Sequence, residues 1–421
     1  MKKTWATILG TLVAVLVISL GVNYLMPLFG GNYTYSATNC LTEYVNSTQE
    51  DMDIYDIARY YRDNQATVAV KVKAGSISSL GSGVCIASNG FSTNLMKDGS
   101  NYVASKGSYI VTNYHVVDEA VGNAAASVTI LTEREETYNC DIVWANLNLD
   151  MAIIYTDEVC LDYVTMKDII IDPAQGERFD YQPIFCIGCP LNEEDYLNRL
   201  TLGNIGTNDT MVMYSDTKDN GYAVMYNLYE DVVDITAGIS PGNSGGGCFD
   251  EDGYLIGLNT LGTDETITGG NQMNGIIPIY PAMQIIDRII YNNEVANTYK
   301  IYTLESLGLY GIDAWEASVA STYTTYYGTT PSYYLNGRYY AKSTYATRGF
   351  NFSSDGYYLI KNANNFGNFG SGAVITACKK GTEAKVAIVD RNDLIYFFLG
   401  CNGGDTIQVT TNTGTKTITL S

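Results

Sequence analysis

Ser240-Pro241-Gly242-Asn243-Ser244-Gly245-Gly246-Gly247 is the stretch on which the reading of this chain turns. It holds one serine among glycines, and Gly242, two residues before that serine, can take backbone angles closed to other residues. Apolar, strand-like sequence follows, with a turn at Asp250-Glu251-Asp252-Gly253 and a second run, Tyr254-Leu255-Ile256-Gly257-Leu258. In such a setting a serine hydroxyl is exposed while backbone N–H groups converge beside it. Acyl transfer needs that geometry, because its tetrahedral intermediate carries an oxyanion. A glycine-rich hairpin with an idle serine reads the same way, so the rest of the chain has to decide.

Working outward, 421 residues give room for two or three domains. The 41 Gly and 36 Tyr, with many Thr and Asn and few long helical patterns, predict a mostly β protein rich in turns. The net charge of −21 offers no basic stripe, which excludes nucleic acid as a partner; solubility accounts for the acidity. With a single histidine, His115, a His-rich metal site is excluded. Of nine cysteines only Cys186 and Cys189 have C-x-x-C spacing, and without a second such pair neither zinc nor any other cofactor is expected. A redox dithiol would open a helix, whereas here Pro190 follows inside β-like sequence.

A serine needs a base, and the base a carboxylate to fix its tautomer. His115 stands at the end of the apolar run Val111-Thr112-Asn113-Tyr114-His115-Val116-Val117. Asp150 directly precedes the apolar run Met151-Ala152-Ile153-Ile154-Tyr155, which partly buries and aims its side chain; Asp118, Asp141 and Asp157 lack that context.

In the order His115, Asp150, Ser244 the pattern resembles the chymotrypsin-fold serine proteases and, within them, the HtrA (Deg) family. Thr112-Asn113-Tyr114-His115-Val116-Val117 is similar to that family's T-N-x-H-V-V, Asp150-Met151-Ala152-Ile153 to its D-L-A-V, and Ile239 to Gly246 to its I-N-P-G-N-S-G-G. Leu80-Gly81-Ser82-Gly83, Ile187-Gly188-Cys189-Pro190, Gly257-Leu258-Asn259-Thr260 and Ile276-Ile277-Pro278-Ile279 are lesser matches. The resemblance covers residues 66–292 and implies two six-stranded β-barrels, with His115 and Asp150 on the first and Ser244 on the second. It implies a Ser244 nucleophile, a His115 base, an Asp150 orienting group and an oxyanion hole from the N–H groups of Gly242 and Ser244. It places Gly238, Leu258 and Asn259 at the specificity pocket; with Gly238 at its base no carboxylate awaits Lys or Arg, and a small or medium apolar residue is expected before the scissile bond. Strand register in that fold also sets Cys186 near Cys248, a candidate disulfide. Gly247 and Cys248 depart from the family, which usually has Pro and an aliphatic residue there. The Asp150–Ser244 spacing is long, with the surplus expected between Asn192 and Asp231.

Around this region, residues 1–30 are expected to form a transmembrane signal-anchor. Lys2 and Lys3 precede an apolar run from Trp5 to Phe29, which would leave the rest outside the cytoplasm; a cleaved secretory signal is the alternative. Residues 31–65 read as a stalk with one short helix. Residues 300–421 read as a smaller domain that resembles the PDZ domains of HtrA proteases. There Leu307-Gly308-Leu309 is the candidate carboxylate-binding turn, and a Tyr-rich stretch, Ala317 to Thr347, interrupts the pattern. The expected function is a membrane-anchored, extracytoplasmic endopeptidase acting on misfolded or specific exported polypeptides, a trimer by family resemblance. The competing reading is a catalytically silent scaffold or chaperone of the same fold. An esterase would use the same residues but lacks the G-x-S-x-G elbow.

Overall fold

The computed structural model describes residues 52–88, 107–147, 149–168, 181–190, 197–206, 214–216, 224–226, 232–262, 274–291, 300–304, 306–314 and 355–421. The expected membrane segment and the Tyr-rich stretch lie outside the described residues.

Helix α1 (Ile54–Asp63) comes first, then strands β1 (Thr67–Ala74), β2 (Ile77–Ser88) and β3 (Ser108–Thr112), the one-turn helix α2 (Tyr114–Val117), β4 (Ser127–Leu131), β5 (Thr137–Asn146) and β6 (Met151–Thr156). These six strands close into a barrel in the order β1-β2-β3-β6-β5-β4, antiparallel at each pairing. The alternation in β1 explains its facing: Val68, Val70 and Val72 point into a core with Cys85, Ile110, Ile130 and Ile154. Lys71 and Lys73 occupy the intervening positions of the same strand.

The second sheet comprises β7 (Pro183–Gly188), β8 (Arg199–Asn204), β11 (Val233–Ile235), β12 (Gly247–Asp250), β13 (Leu255–Gly262) and β14 (Asn274–Pro278), in the order β11-β14-β13-β12-β7-β8. A second closed six-stranded barrel was the expectation; the structure corrects it to a half-barrel. Among the described residues its edges meet at an isolated bridge, Ile205 with Ile235, where Thr236 N–H donates to Asn204 C=O at 2.9 Å and Gly206 N–H to Asp234 C=O at 2.6 Å. With edge β11 only three residues long, continuous pairing across the seam is short of backbone partners. Strands β9 (Tyr214–Asp216) and β10 (Val224–Tyr226) form a separate antiparallel pair inside the region expected to hold the surplus length.

Helix α3 (Tyr280–Tyr291) leads to a third sheet of β15 (Leu309–Asp313), β16 (Tyr357–Asn362), β17 (Val374–Lys380), β19 (Thr406–Thr411) and β20 (Gly414–Thr419), with β18 (Val386–Ala387) paired to β17 and helix α4 (Arg391–Leu399) between β18 and β19. It is a β domain consistent with PDZ. Asp390 and Asp393 form a reciprocal capping box at the start of α4. At its other end the Arg288 guanidinium of α3 donates to the Leu399 carbonyl at 2.6 Å, so a cation from the preceding region satisfies the carbonyl end of this helix.

Helix α1 is not a free part of a stalk. Asp53 caps it by accepting from Asp56 N–H at 2.9 Å, and it buries Ile57, Ala58 and Tyr61. The Tyr61 ring lies 5.1 Å from that of Phe249, which stacks on Phe185 at 5.0 Å, and the Tyr61 hydroxyl donates to the Gly253 carbonyl. The helix thus packs against β12 and its turn. Tyr61→Phe is expected to lower stability by about 1–2 kcal/mol, leaving the buried Gly253 carbonyl unpaired. Tyr61→Ala should cost about 3–5 kcal/mol through the lost ring. Urea unfolding followed by tryptophan fluorescence checks both; a Tyr61→Phe protein as stable as wild type would mean that the hydroxyl contributes nothing, and equal costs for the two variants that the ring contributes nothing.

Candidate active site

Strand β3 ends at Thr112, and Asn113 is extended (φ −73°, ψ 149°) before the single turn of α2. Val116 and Val117 enter the first barrel's core, so their burial fixes the turn and leaves His115 at the surface with 39 % of its side chain exposed. The sequence pattern placed His115 at a strand end; it sits instead on this helical turn. Asp150 is 1 % exposed and has φ +46°, in the left-handed region that Asp tolerates better than most residues. Its N–H donates to Leu147 C=O at 3.2 Å, and its own carbonyl accepts from Tyr114 N–H and from Asn113 Nδ2, both at 3.0 Å. Held this way, the carboxylate reaches His115 twice: Oδ1 accepts from the His115 backbone N–H at 2.9 Å, and Oδ2 lies 2.8 Å from Nδ1. A carboxylate accepts only, so Nδ1 carries the proton and Nε2 of the neutral ring is left as an acceptor. Burial lowers the pKa of His115, but the charge of Asp150, its hydrogen bond and the more distant Asp118 outweigh it, and the net direction is upward from 6.5.

Ser244 follows a tight turn whose chemistry is written in its residues. Asn243 N–H donates to Ser240 C=O at 3.0 Å, Pro241 takes the second position and Gly242 the third, with φ +95°. That is a type II turn, and the positive φ at its third position requires glycine. Gly245 N–H donates to Asn259 C=O at 2.9 Å and Asn259 N–H to Gly246 C=O at 2.8 Å, tying the residues after the serine to β13. Among the described residues, the N–H groups of Gly242 and Ser244 donate to no backbone carbonyl. The Ser244 hydroxyl lies 3.5 Å from Thr260 C=O, at the limit of a hydrogen bond. Asn113 Nδ2 also donates to Thr260 Oγ1 at 3.0 Å, linking the His115 side to the Ser244 side. The sequence motifs held Asn113 and Thr260 without marking them: Asn113 stands two residues before His115 and Thr260 directly after Asn259.

The remaining expected site residues divide. Gly238 is exposed, and a Cβ there would meet nothing within 4 Å. Leu258 and Asn259 are fully buried, and Asn259 Nδ2 donates to the Ile187 and Gly247 carbonyls. Cys186 and Cys248 stand directly opposite each other on β7 and β12, as the resemblance implied. The expected bridge is not formed: both are buried free thiols. Burial, then the neighbouring Cys186 thiol, push the Cys248 thiol well above its usual range, and both side chains belong to the apolar core of the half-barrel. The turn Leu307-Gly308-Leu309 is also corrected as a carboxylate cradle. Leu307 N–H already donates to Thr303 C=O at 3.1 Å and Leu309 N–H to Leu304 C=O at 2.8 Å, so two of its three amides are engaged.

Residues 81–258 match the family described as a trypsin-like peptidase domain. A probable periplasmic serine endoprotease, DegP-like, of Chlamydia muridarum is 24 % identical over 212 residues, which are 50 % of this chain and 37 % of that protein. The serine protease Do-like HtrA of Lactococcus lactis subsp. cremoris is 24 % identical over 247 residues, 58 % of this chain and 55 % of that protein. The serine protease Do-like HtrB of Bacillus subtilis is 28 % identical over 219 residues, 48 % of this chain and 43 % of that protein. The matches span about half or less of these relatives' own length.

Because His115 is the sole histidine, one imidazole signal reports its titration. Proton NMR should place its pKa above 6.5, and Asp150→Asn should lower it; a wild-type value at or below 6.5 would contradict the pairing. In linkage terms the raised value stabilises the fold fully below the unfolded pKa, and that contribution is lost as pH rises through the folded one.

Proposed function

We propose, for a chain whose residues 81–258 match a trypsin-like peptidase domain and which is HtrA/DegP-like in sequence, that it is a serine endopeptidase acting through Ser244, His115 and Asp150. The single observation that carries the reading is the doubly held pair, His115 Nδ1 at 2.8 Å from Asp150 Oδ2 with Asp150 Oδ1 on the His115 N–H. That arrangement commits Nε2 to accepting a proton.

In the proposed cycle Ser244 Oγ attacks the carbonyl carbon of the scissile peptide while His115 Nε2 takes its proton. The carbonyl oxygen gains the negative charge, and the unengaged N–H groups of Gly242 and Ser244 stabilise it. Asp150 stabilises the imidazolium and keeps its proton on Nδ1. His115 then donates the Ser244 proton to the departing amine nitrogen, the C–N bond breaks, and an acyl ester remains on Ser244. Water, giving its proton to His115, attacks that ester and releases the acid and the free serine. The neutral ring is the working form, so activity rises with pH through the raised pKa of His115.

The open space at Gly238 supports a preference for small or medium apolar side chains before the scissile bond. Substrates are exported polypeptides that are unfolded or carry an extended segment. Residues 1–30 anchor the chain with its protease outside the cytoplasm, and a trimer is the assembly to test by light scattering.

Labelling with a fluorophosphonate tests the chemistry. Wild type should label and Ser244→Ala should not, and casein cleavage should fall by at least about 10³-fold. Among short peptides, those with Val or Ala at the cleaved position should outpace those with Arg. A protein that never labels at Ser244 is the silent scaffold instead, and one that labels but hydrolyses only small esters is not a peptidase.

A further inference from the structure

We propose that Ser82 is a positioning residue for the oxyanion side of this site, an inference that rests on the endopeptidase reading above. Ser82 belongs to β2 of the first barrel and is buried. Its four polar connections all leave its own strand. The hydroxyl donates to Gly242 C=O at 2.8 Å and accepts from Cys189 N–H at 2.7 Å. The backbone N–H donates to the carbonyl of Ser244 itself at 2.7 Å, and the Ser82 carbonyl accepts from Thr112 Oγ1 at 2.7 Å. Three of the four partners, Gly242, Cys189 and Ser244, lie in or beside the half-barrel.

The two carbonyls that Ser82 holds belong to the two residues whose N–H groups would face the oxyanion. Glycine at 242 permits the turn, but nothing in a glycine's own sterics prevents its peptide planes from rotating. Hydrogen bonds have to do so. The 242–243 peptide is fixed at both ends: its N–H on Ser240 C=O and its C=O on the Ser82 hydroxyl. The carbonyl of Ser244, next along the chain, is fixed by the Ser82 N–H. A hydroxyl is also one of few groups able to serve here, since it must accept from Cys189 N–H and donate to Gly242 C=O with one oxygen. An alanine can serve neither the Cys189 N–H nor the Gly242 carbonyl. Ser82 shares no hydrogen bond with His115 or Asp150, so its removal should leave the base's titration alone.

The experiment compares full-length wild type, Ser82→Ala and Ser82→Thr, with sites counted by fluorophosphonate titration and rates measured on a peptide ester and a peptide amide. For Ser82→Ala, kcat per titrated site should fall about ten- to hundredfold, the loss expected from displacing an oxyanion donor without deleting it. KM should stay within about twofold and the acid limb of the pH profile should not move, because the lost interaction acts only on developing charge. Ser82→Thr, which keeps the hydroxyl, should recover most of the rate. A kcat per titrated site within about threefold of wild type in Ser82→Ala would overturn the proposal, as would a loss confined to KM, a shifted acid limb, or a threonine variant no better than alanine. A Ser82→Ala protein without a cooperative unfolding transition would make Ser82 purely structural and overturn it too. An inert wild type overturns the endopeptidase reading itself, and this inference with it; an active wild type with an equally active Ser82→Ala overturns this inference alone.

Discussion

The site depends on hydrogen bonds that cross from a closed barrel to an open one. His115 and Asp150 are fixed by the first barrel, Ser244 by the turn and strand of the half-barrel, and neither body positions the other's residues by itself. Beside the site, Ser82 reaches Gly242, Ser244 and Cys189, and Asn113 reaches Thr260. Both crossing side chains are buried, where a bond is electrostatically stronger than in water and an unmade one is costly. A small relative slip of the two bodies therefore strands several buried polar groups at once, which makes the contact close to all-or-none.

Within the first barrel the tension is local. Asp150 is buried beside a half-exposed imidazole and takes a left-handed backbone that few residues adopt. Such a conformation persists only where surroundings over-determine it. Here they do so: the Leu147 turn holds its N–H, while Tyr114 and Asn113 hold its carbonyl. The same carbonyl that restrains Asp150 also starts the helical turn carrying His115. One set of bonds thus orients the carboxylate and seats His115 against it.

Much of this was legible in the sequence because it follows period and turn chemistry. Gly242 stood out as a residue able to take backbone angles closed to others, and it has φ +95°. Asp150 stood out because it opens the apolar run of β6. What escaped were facts of long-range geometry. The half-barrel's seam depends on how far β8 and β11 extend beside each other, which no local pattern encodes. Helix α1 looked like part of a stalk because its Ile57, Ala58 and Tyr61 face names no partner; the partner, Phe249, lies 188 residues beyond Tyr61 in the numbering. Leu307-Gly308-Leu309 looked like an anion cradle, but its amides turn back on Thr303 and Leu304.

Gly247 and Cys248, which depart from the HtrA pattern, have a physical account. A Cβ at Gly247 would lie 2.4 Å from Cζ of Phe249 and 3.0 Å from Cδ1 of Leu255, so a proline does not fit unless Phe249 moves. Phe249 has nowhere to go, since it is fully buried between the rings of Phe185 and Tyr61. At Cys248 the side chain meets Cys186 across the ladder, where two small polarizable thiols fill the apolar core of the half-barrel. The departure at Gly247 is therefore coupled to helix α1. Its Tyr61 presses Phe249 over the backbone of Gly247, three residues from Ser244, and so the helix that precedes the first barrel braces the strand that follows Ser244.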